Sequence, residues 1–182
     1  MDRNQAMPAE VSNIAMVFTL VSFTMLFATL FLTFAIFRLT AEAWPPFGVE
    51  KLSLFYPGLS TVVIALSSLT YWRFEKSGGP RWFGMTLALG LAFLGLQLKF
   101  WAFLKTLGIF ASTGTFGSLI YGFTWIHAAH VLAALALLLW VLPTARSRES
   151  FEGHSIRIRN VGMFWHFLGI VWFLIFLIIF VL

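Results

Sequence analysis

Residues 123–140 read FTWIHAAHVLAALALLLW. The apolar run they belong to extends over 117–142. That is enough to cross a hydrocarbon layer of about 30 Å, which takes about 20 residues of helix. Apolarity sustained over this length argues for a transmembrane helix rather than a buried helix of a soluble domain. Two histidines, His127 and His130, interrupt the run three positions apart. In a helix that spacing puts both imidazoles on one face. They could be half of a metal or haem site, and the rest of the chain has to decide.

Working outward, four further apolar runs occupy 14–38, 55–72, 82–104 and 161–182. The expectation is an all-α polytopic membrane protein: one membrane domain over 1–182, built as a five-transmembrane-helix bundle. Composition agrees, with 60% hydrophobic and only 10% charged residues, which excludes disorder and argues against a soluble globular domain. With no cysteine there is no disulfide framework, thiolate metal site or cysteine nucleophile. The net charge of +5 does not point to nucleic acid, because the basic residues sit between apolar runs. The first run is too long for a signal-peptide core, and no small-residue cleavage site follows it, so it reads as a retained span.

The breaks between runs carry helix-ending chemistry. Ala43-Trp44-Pro45-Pro46-Phe47-Gly48 follows the first span, Ser77-Gly78-Gly79-Pro80 the second, and Ser112-Thr113-Gly114 the third. The fourth connection, 143–160, is the longest and most basic. Trp44, Trp72, Trp82, Trp101 and Trp140 fall near predicted span ends, where indole rings anchor at the membrane interface. Arg3, Arg73, Lys76, Arg81, Arg146, Arg148, Arg157 and Arg159 lie on one side, against Arg38, Lys51, Lys99 and Lys105 on the other. That asymmetry places the N-terminus in the cytoplasm and the C-terminus outside.

An ionisable group within a span is a functional hypothesis by default. The acidic residues Asp2, Glu10, Glu42, Glu50, Glu75, Glu149 and Glu152 all fall in predicted tails or loops, which argues against a proton pump or ion-coupled transporter. Lys99 is read as an interfacial lysine that reaches outward over about 12 Å of helix. His166, on the fifth run, is expected to differ in depth from His127 and His130 by about 10 Å, whereas ligands of one metal converge within about 2 Å of it. With no carboxylate or thiolate nearby, the imidazoles are read as structural, hydrogen-bonded between helices or to lipid headgroups. No catalytic, metal or cofactor-binding residue is assigned. Ala129 and Ala133, with Gly84, Ala88, Gly90 and Gly95 on the third run, suit close helix approach.

Several ordered segments resemble subunit III of the haem-copper oxidases. FWHFLGIVWFLIF, 164–176, is similar to that family's last signature and places Trp165, His166, Phe167 and Trp172. HAAHV from His127 resembles a His-x-x-His-Val block on the preceding helix. LGLAFLGLQLKFW, 89–101, and FGSLIY, 116–121, resemble two more blocks. Ser22, Met25, Phe27, Leu30, Phe31 and Arg38, followed by the Trp44 turn, resemble the opening block of the shorter, five-span form. Family carboxylates correspond here to Phe23, Phe100, Arg159 and Gly169.

The resemblance implies a non-catalytic subunit of a bacterial terminal oxidase in the cell inner membrane. It would bind no haem or copper itself, these being expected in the partner catalytic subunits. It would pack beside oxidase subunit I and the other subunits, hold structural phospholipids and support assembly and stability. His127, His130, Trp165, His166, Trp172, Arg38 and Trp44 are then family-signature positions with structural or lipid contacts. The electron donor (cytochrome c or quinol) and membership of a respiratory supercomplex stay open. Other readings are a subunit-III-like protein of a nitric oxide reductase, an independent transporter, and a haem-binding membrane cytochrome.

Overall fold

The computed structural model describes residues 9–44, 46, 53–146 and 155–182. Five helices follow one another: α1 (Ala9–Thr40), α2 (Phe55–Ser77), α3 (Pro80–Thr106), α4 (Thr115–Arg146) and α5 (Ser155–Ile175). The last continues as a π-helical segment, Phe176–Val181. The first four helices contain their apolar runs and overshoot them, and α5 starts six residues before its run, because intrahelical hydrogen bonding continues into polar sequence beyond the hydrophobic stretch. The connection expected over 143–160 is therefore shorter at both ends: α4 runs through Pro143 to Arg146, and α5 begins at Ser155. Arg3, Lys51, Ser150 and the prolyl residue Pro45 lie outside the described residues.

The turns behave as their chemistry dictates. Gly78 ends α2 at φ 62°, the left-handed region that a glycine enters without Cβ strain, and its N–H bonds Phe74 O at 2.8 Å. Pro80 then starts α3, where a missing N–H costs no hydrogen bond. A two-residue link makes α2 and α3 antiparallel neighbours. α5 packs against α1, α2 and α4, while α3 closes the bundle between α2 and α4. Asn160 Nδ2 donates to Ser12 Oγ at 3.0 Å and fixes the starts of α1 and α5 at the same end. Arg73, Lys76, Arg81, Arg157 and Arg159 share that end, hereafter the basic end.

Four of the helices, α1, α3, α4 and α5, are long and apolar enough to cross a membrane. α2 falls short of that composition, one helix fewer than the five spans expected. Ser60, Thr61, Ser67, Ser68 and Thr70 dilute its middle, and Arg73, Glu75 and Lys76 crowd its last turns. The dilution has a packing cause. Ser60, Ser67 and Thr70 are buried, and their hydroxyls meet α3: Gln97 Nε2 donates to Ser60 at 3.3 Å, Ser67 donates to Thr86 O at 3.2 Å, and the Thr70 and Thr86 hydroxyls lie 2.9 Å apart.

Two apolar clusters fill the interior. The larger joins all five helices through Phe27, Phe34, Phe93, Trp165 and Trp172, among others. The smaller sits at the end opposite the basic one, around Phe100, Leu104, Ile109 and Tyr121. Lipid tails are as apolar as these side chains, so close contact and interhelical hydrogen bonds, rather than escape from water, hold such a bundle together.

Candidate functional site

α4 turns one stripe inward: Ile120, Thr124, His127, Val131, Ala134, Leu138 and Val141 are all buried, at steps of three and four. His127 is thereby carried to the bundle centre with no exposed surface. Its ring lies among Phe27 of α1, Phe93 of α3 and Trp172 of α5, with centroids 6.2, 5.7 and 5.3 Å away. Neither ring nitrogen has a hydrogen-bond partner among the described residues. His130 lies one turn along, half-buried, against Phe23 at 4.5 Å and Phe27 at 5.6 Å. Its Nδ1 meets Ile126 O at 2.6 Å. A carbonyl can only accept, so Nδ1 carries the proton.

The pair does share a face, toward Phe27. Among the described residues the pair makes no hydrogen bond to another helix, whereas bonds between helices or to lipid headgroups were expected. His130 bonds its own helix, and His127 meets aromatic rings in their place.

His166 does contact another helix. Its Nε2 lies 3.9 Å from Glu75 Oε2 of α2, both side chains partly exposed. Glu75 was expected in a loop, but α2 runs on to Ser77 and carries it. Glu10 likewise lies in the first turn of α1, not in a tail. Gly162, one turn before His166, makes room: a Cβ there would run into Glu75 Oε1 and come within 2.5 Å of Tyr71 Cε1. Tyr71 spans the same junction, donating to Ile158 O at 2.7 Å. Trp172 marks the level of His127, and His166 precedes it by six residues, about 9 Å along the helix. His166 and His127 are thus held apart. Among the described residues no three His, Asp or Glu side chains are grouped as metal ligands.

Trp165 and Trp172 are spaced seven apart and face α2. Their indole N–H groups donate to Ser67 Oγ at 3.2 Å and Thr61 Oγ1 at 3.1 Å, and both rings are fully buried. The partners of these signature tryptophans are therefore the hydroxyls that make α2 polar, a link absent from the sequence reading. Gly90 completes this region. A Cβ there would approach Trp165 Cη2 to 2.7 Å and Leu135 Cδ2 to 2.8 Å.

The remaining positions brace the ends. Arg38 reaches from α1 to the π-helical segment, donating to Ile178 O at 3.5 Å and to Leu182 O. Trp44 wedges between Phe34 and Phe116, at 5.5 and 5.0 Å. At the basic end Lys76 sits over Trp72, Arg73 over Trp82 and Arg157 over Trp140, at 4.0, 4.9 and 5.5 Å. Such contacts place cation and indole together at an interface. Phe23 stacks on Phe164 at 5.6 Å, and buried Phe100 meets Phe180 at 5.6 Å, so two positions that the resemblance sets against family carboxylates are filled by packed rings. Gly169 instead opens a groove of about 430 Å³ between α2 and α5, with Ser68 and His166 on its walls.

The arrangement can tie helices together, and it can offer grooves and cationic rims to a membrane. Comparison with known proteins points the same way. Residues 4–182 match the family described as cytochrome c oxidase subunit III. The chain is 33% identical over 175 residues to cytochrome c oxidase subunit 3 of Synechocystis sp., covering 90% of this chain and 72% of that one. It is 30% identical over 173 residues to the same subunit of Thermostichus vulcanus, with 90% and 83% covered. It is 29% identical over 164 residues to cytochrome bo(3) ubiquinol oxidase subunit 3 of Pseudomonas aeruginosa, with 86% and 78% covered.

Proposed function

The chain belongs to the cytochrome c oxidase subunit III family, and from that premise we propose that it is the non-catalytic third subunit of a bacterial terminal oxidase. It packs beside the catalytic subunit, supports its assembly and lifetime, and retains phospholipid. Haem and copper belong to the partner subunits. All five helices cross the inner membrane, with α2 as the span whose polar residues face inward. The basic end is cytoplasmic, which leaves the C-terminus outside.

One observation carries this reading. At three of the family-signature positions the polar group ties one helix to another: Trp165 to Ser67, Trp172 to Thr61, and Arg38 to the carbonyls of Ile178 and Leu182. A scaffold needs that arrangement. A redox or transport site would hold such groups facing a substrate.

Deleting the chain tests the proposal. Freshly prepared oxidase without it should turn over at the initial rate of the intact complex and then inactivate at least tenfold sooner. A complex that is inactive from the first turnover, with its other subunits and haem intact, refutes a supporting role.

A further inference from the structure

We propose that the centre of the bundle is a binding site for internal water, held by His127 of α4 and Gln97 of α3. The site goes beyond the supporting role proposed above and does not depend on it.

Two side chains there are buried and incompletely bonded. His127 has no exposed surface, and neither ring nitrogen has a partner among the described residues. Gln97 is 1% exposed. Its Nε2 donates to Ser60 Oγ at 3.3 Å, and its Oε1 has no partner among the described residues. Turning the amide over exchanges the two atoms and leaves the other one unpaired. Buried polar side chains in folded proteins are nearly always bonded, to protein or to ordered water.

The two belong to one level of the bundle. Phe93, whose ring centroid is 5.7 Å from that of His127, precedes Gln97 by one turn on the buried face of α3, about 6 Å along the axis. α2 closes the circuit from the other side. Its consecutive residues Ser60 and Thr61 bond Gln97 and Trp172, and the Trp172 ring lies 5.3 Å from His127. One turn further along α3 and α4, Trp101 Nε1 donates to Thr124 Oγ1 at 3.0 Å and holds the two helices in register. Four helices thus meet around the unpaired atoms.

The missing partners are mainly hydrogen donors. An imidazole with one N–H needs an acceptor for it and a donor for its other nitrogen. The faces of Phe27 and Phe93 can accept an N–H weakly. They cannot donate one, and the indole N–H of Trp172 is already given to Thr61 Oγ1. The Gln97 amide oxygen lacks a donor as well. Water brings two hydrogens and two lone pairs, so it supplies what the ring nitrogen and the amide oxygen both lack. Internal waters characteristically bond groups that the protein leaves unsatisfied. A metal ion would need further ligands, and no three His, Asp or Glu side chains are grouped among the described residues.

X-ray radiolysis tests the site, because hydroxyl radicals formed from a held water oxidise the side chains beside it. The sample is the full chain in lipid nanodiscs, with the subunits that copurify with it. Trp165 is the internal control: it lies on the same helix as Trp172, is equally buried, and bonds Ser67 instead. Mass spectrometry should find Trp172 oxidised at least threefold faster than Trp165, and a smaller ratio overturns the proposal. His127→Phe combined with Gln97→Leu removes the unpaired atoms and keeps apolar bulk, so it should bring the ratio below threefold. A ratio that stays above threefold in that variant overturns the assignment to these two residues. Should the variant fail to assemble, wild-type chain mixed rapidly into degassed water of heavy oxygen decides. Trp172 should then be oxidised with light oxygen from the held water, while exposed Trp140 takes heavy oxygen from bulk. Heavy oxygen at both from the earliest mixing time overturns the proposal.

Discussion

Gly90 and Gly95 lie five residues apart on α3, and the same substitution should have opposite effects at the two sites. Replacing glycine with alanine in a helix interior gains about 0.5–1 kcal/mol of backbone preference. That gain is common to both sites and cancels in their difference. At Gly95 the new methyl meets nothing within 4 Å, so the gain stands. At Gly90 it meets Trp165 Cη2 at 2.7 Å and Leu135 Cδ2 at 2.8 Å. Leu135 can change rotamer. Trp165 cannot easily move, because its N–H is tied to Ser67 and its ring is fully buried. Forcing a methyl into a packed core costs about 1–3 kcal/mol. Gly90→Ala should therefore unfold about 1–3 kcal/mol more readily than Gly95→Ala. Denaturation of the two purified variants in one detergent, followed by circular dichroism, measures the difference. Equal midpoints, within about 0.5 kcal/mol, would refute the close α3–α5 contact at Trp165.

Gly162→Ala should cost about 1–3 kcal/mol, because its methyl displaces both Glu75 and Tyr71; adding Glu75→Ala should recover only part, since Tyr71 stays in the way. Trp172→Phe removes one interhelical hydrogen bond to Thr61, with an expected loss of about 0.6 kcal/mol in the same denaturation assay. Replacing both His127 and His130 with glutamine should leave the haem and metal content of the complex unchanged by absorbance and elemental analysis, and loss of one equivalent of either would reject their structural role. A single cysteine at Ser150 should react in intact cells only with a membrane-permeant thiol reagent, and labelling by an impermeant one would invert the proposed orientation.

The helices were legible wherever lipid-facing and core-facing residues are both apolar, because uninterrupted hydropathy then marks the element directly. α1 is the clear case, with Val17, Phe18, Met25 and Leu32 exposed and Phe27 and Phe34 buried. The ends were less legible, since hydropathy falls before the helix does, as at Glu75 and Arg146. Among the site residues, the shared face of His127 and His130 and their separation from His166 followed from helix geometry alone. Their partners did not. Nothing in HAAHV distinguishes an imidazole bonded across helices from one bonded to its own Ile126 carbonyl or boxed by Phe27, Phe93 and Trp172. That choice depends on which side chains three other helices bring to the same depth.

α2 shows how a helix of the bundle can fall short of a membrane-crossing composition. Its hydroxyls lower its hydropathy, yet three of them, on Ser60, Ser67 and Thr70, are buried and bonded to α3, and two, on Thr61 and Ser67, receive the tryptophan N–H groups of α5. A polar group that is paired inside a bundle does not face lipid and does not oppose insertion as an unpaired one would. Its partners are themselves polar residues of otherwise apolar helices: Thr86, Gln97, Trp165 and Trp172. The same reasoning applies to Phe23 and Phe100. Where a carboxylate at such depth would cost about 2–3 kcal/mol unless paired, rings that stack on Phe164 and Phe180 need no partner. The bundle thus keeps its interior polarity to hydroxyl, amide, imidazole and indole groups, while the described ionisable contact between helices, Glu75 with His166, sits at the basic end where water and headgroups can reach it. If that division holds, a water-soluble carbodiimide with an external amine should modify Glu75 in the intact complex, and a Glu75 that reacts only with a hydrophobic carbodiimide would contradict it.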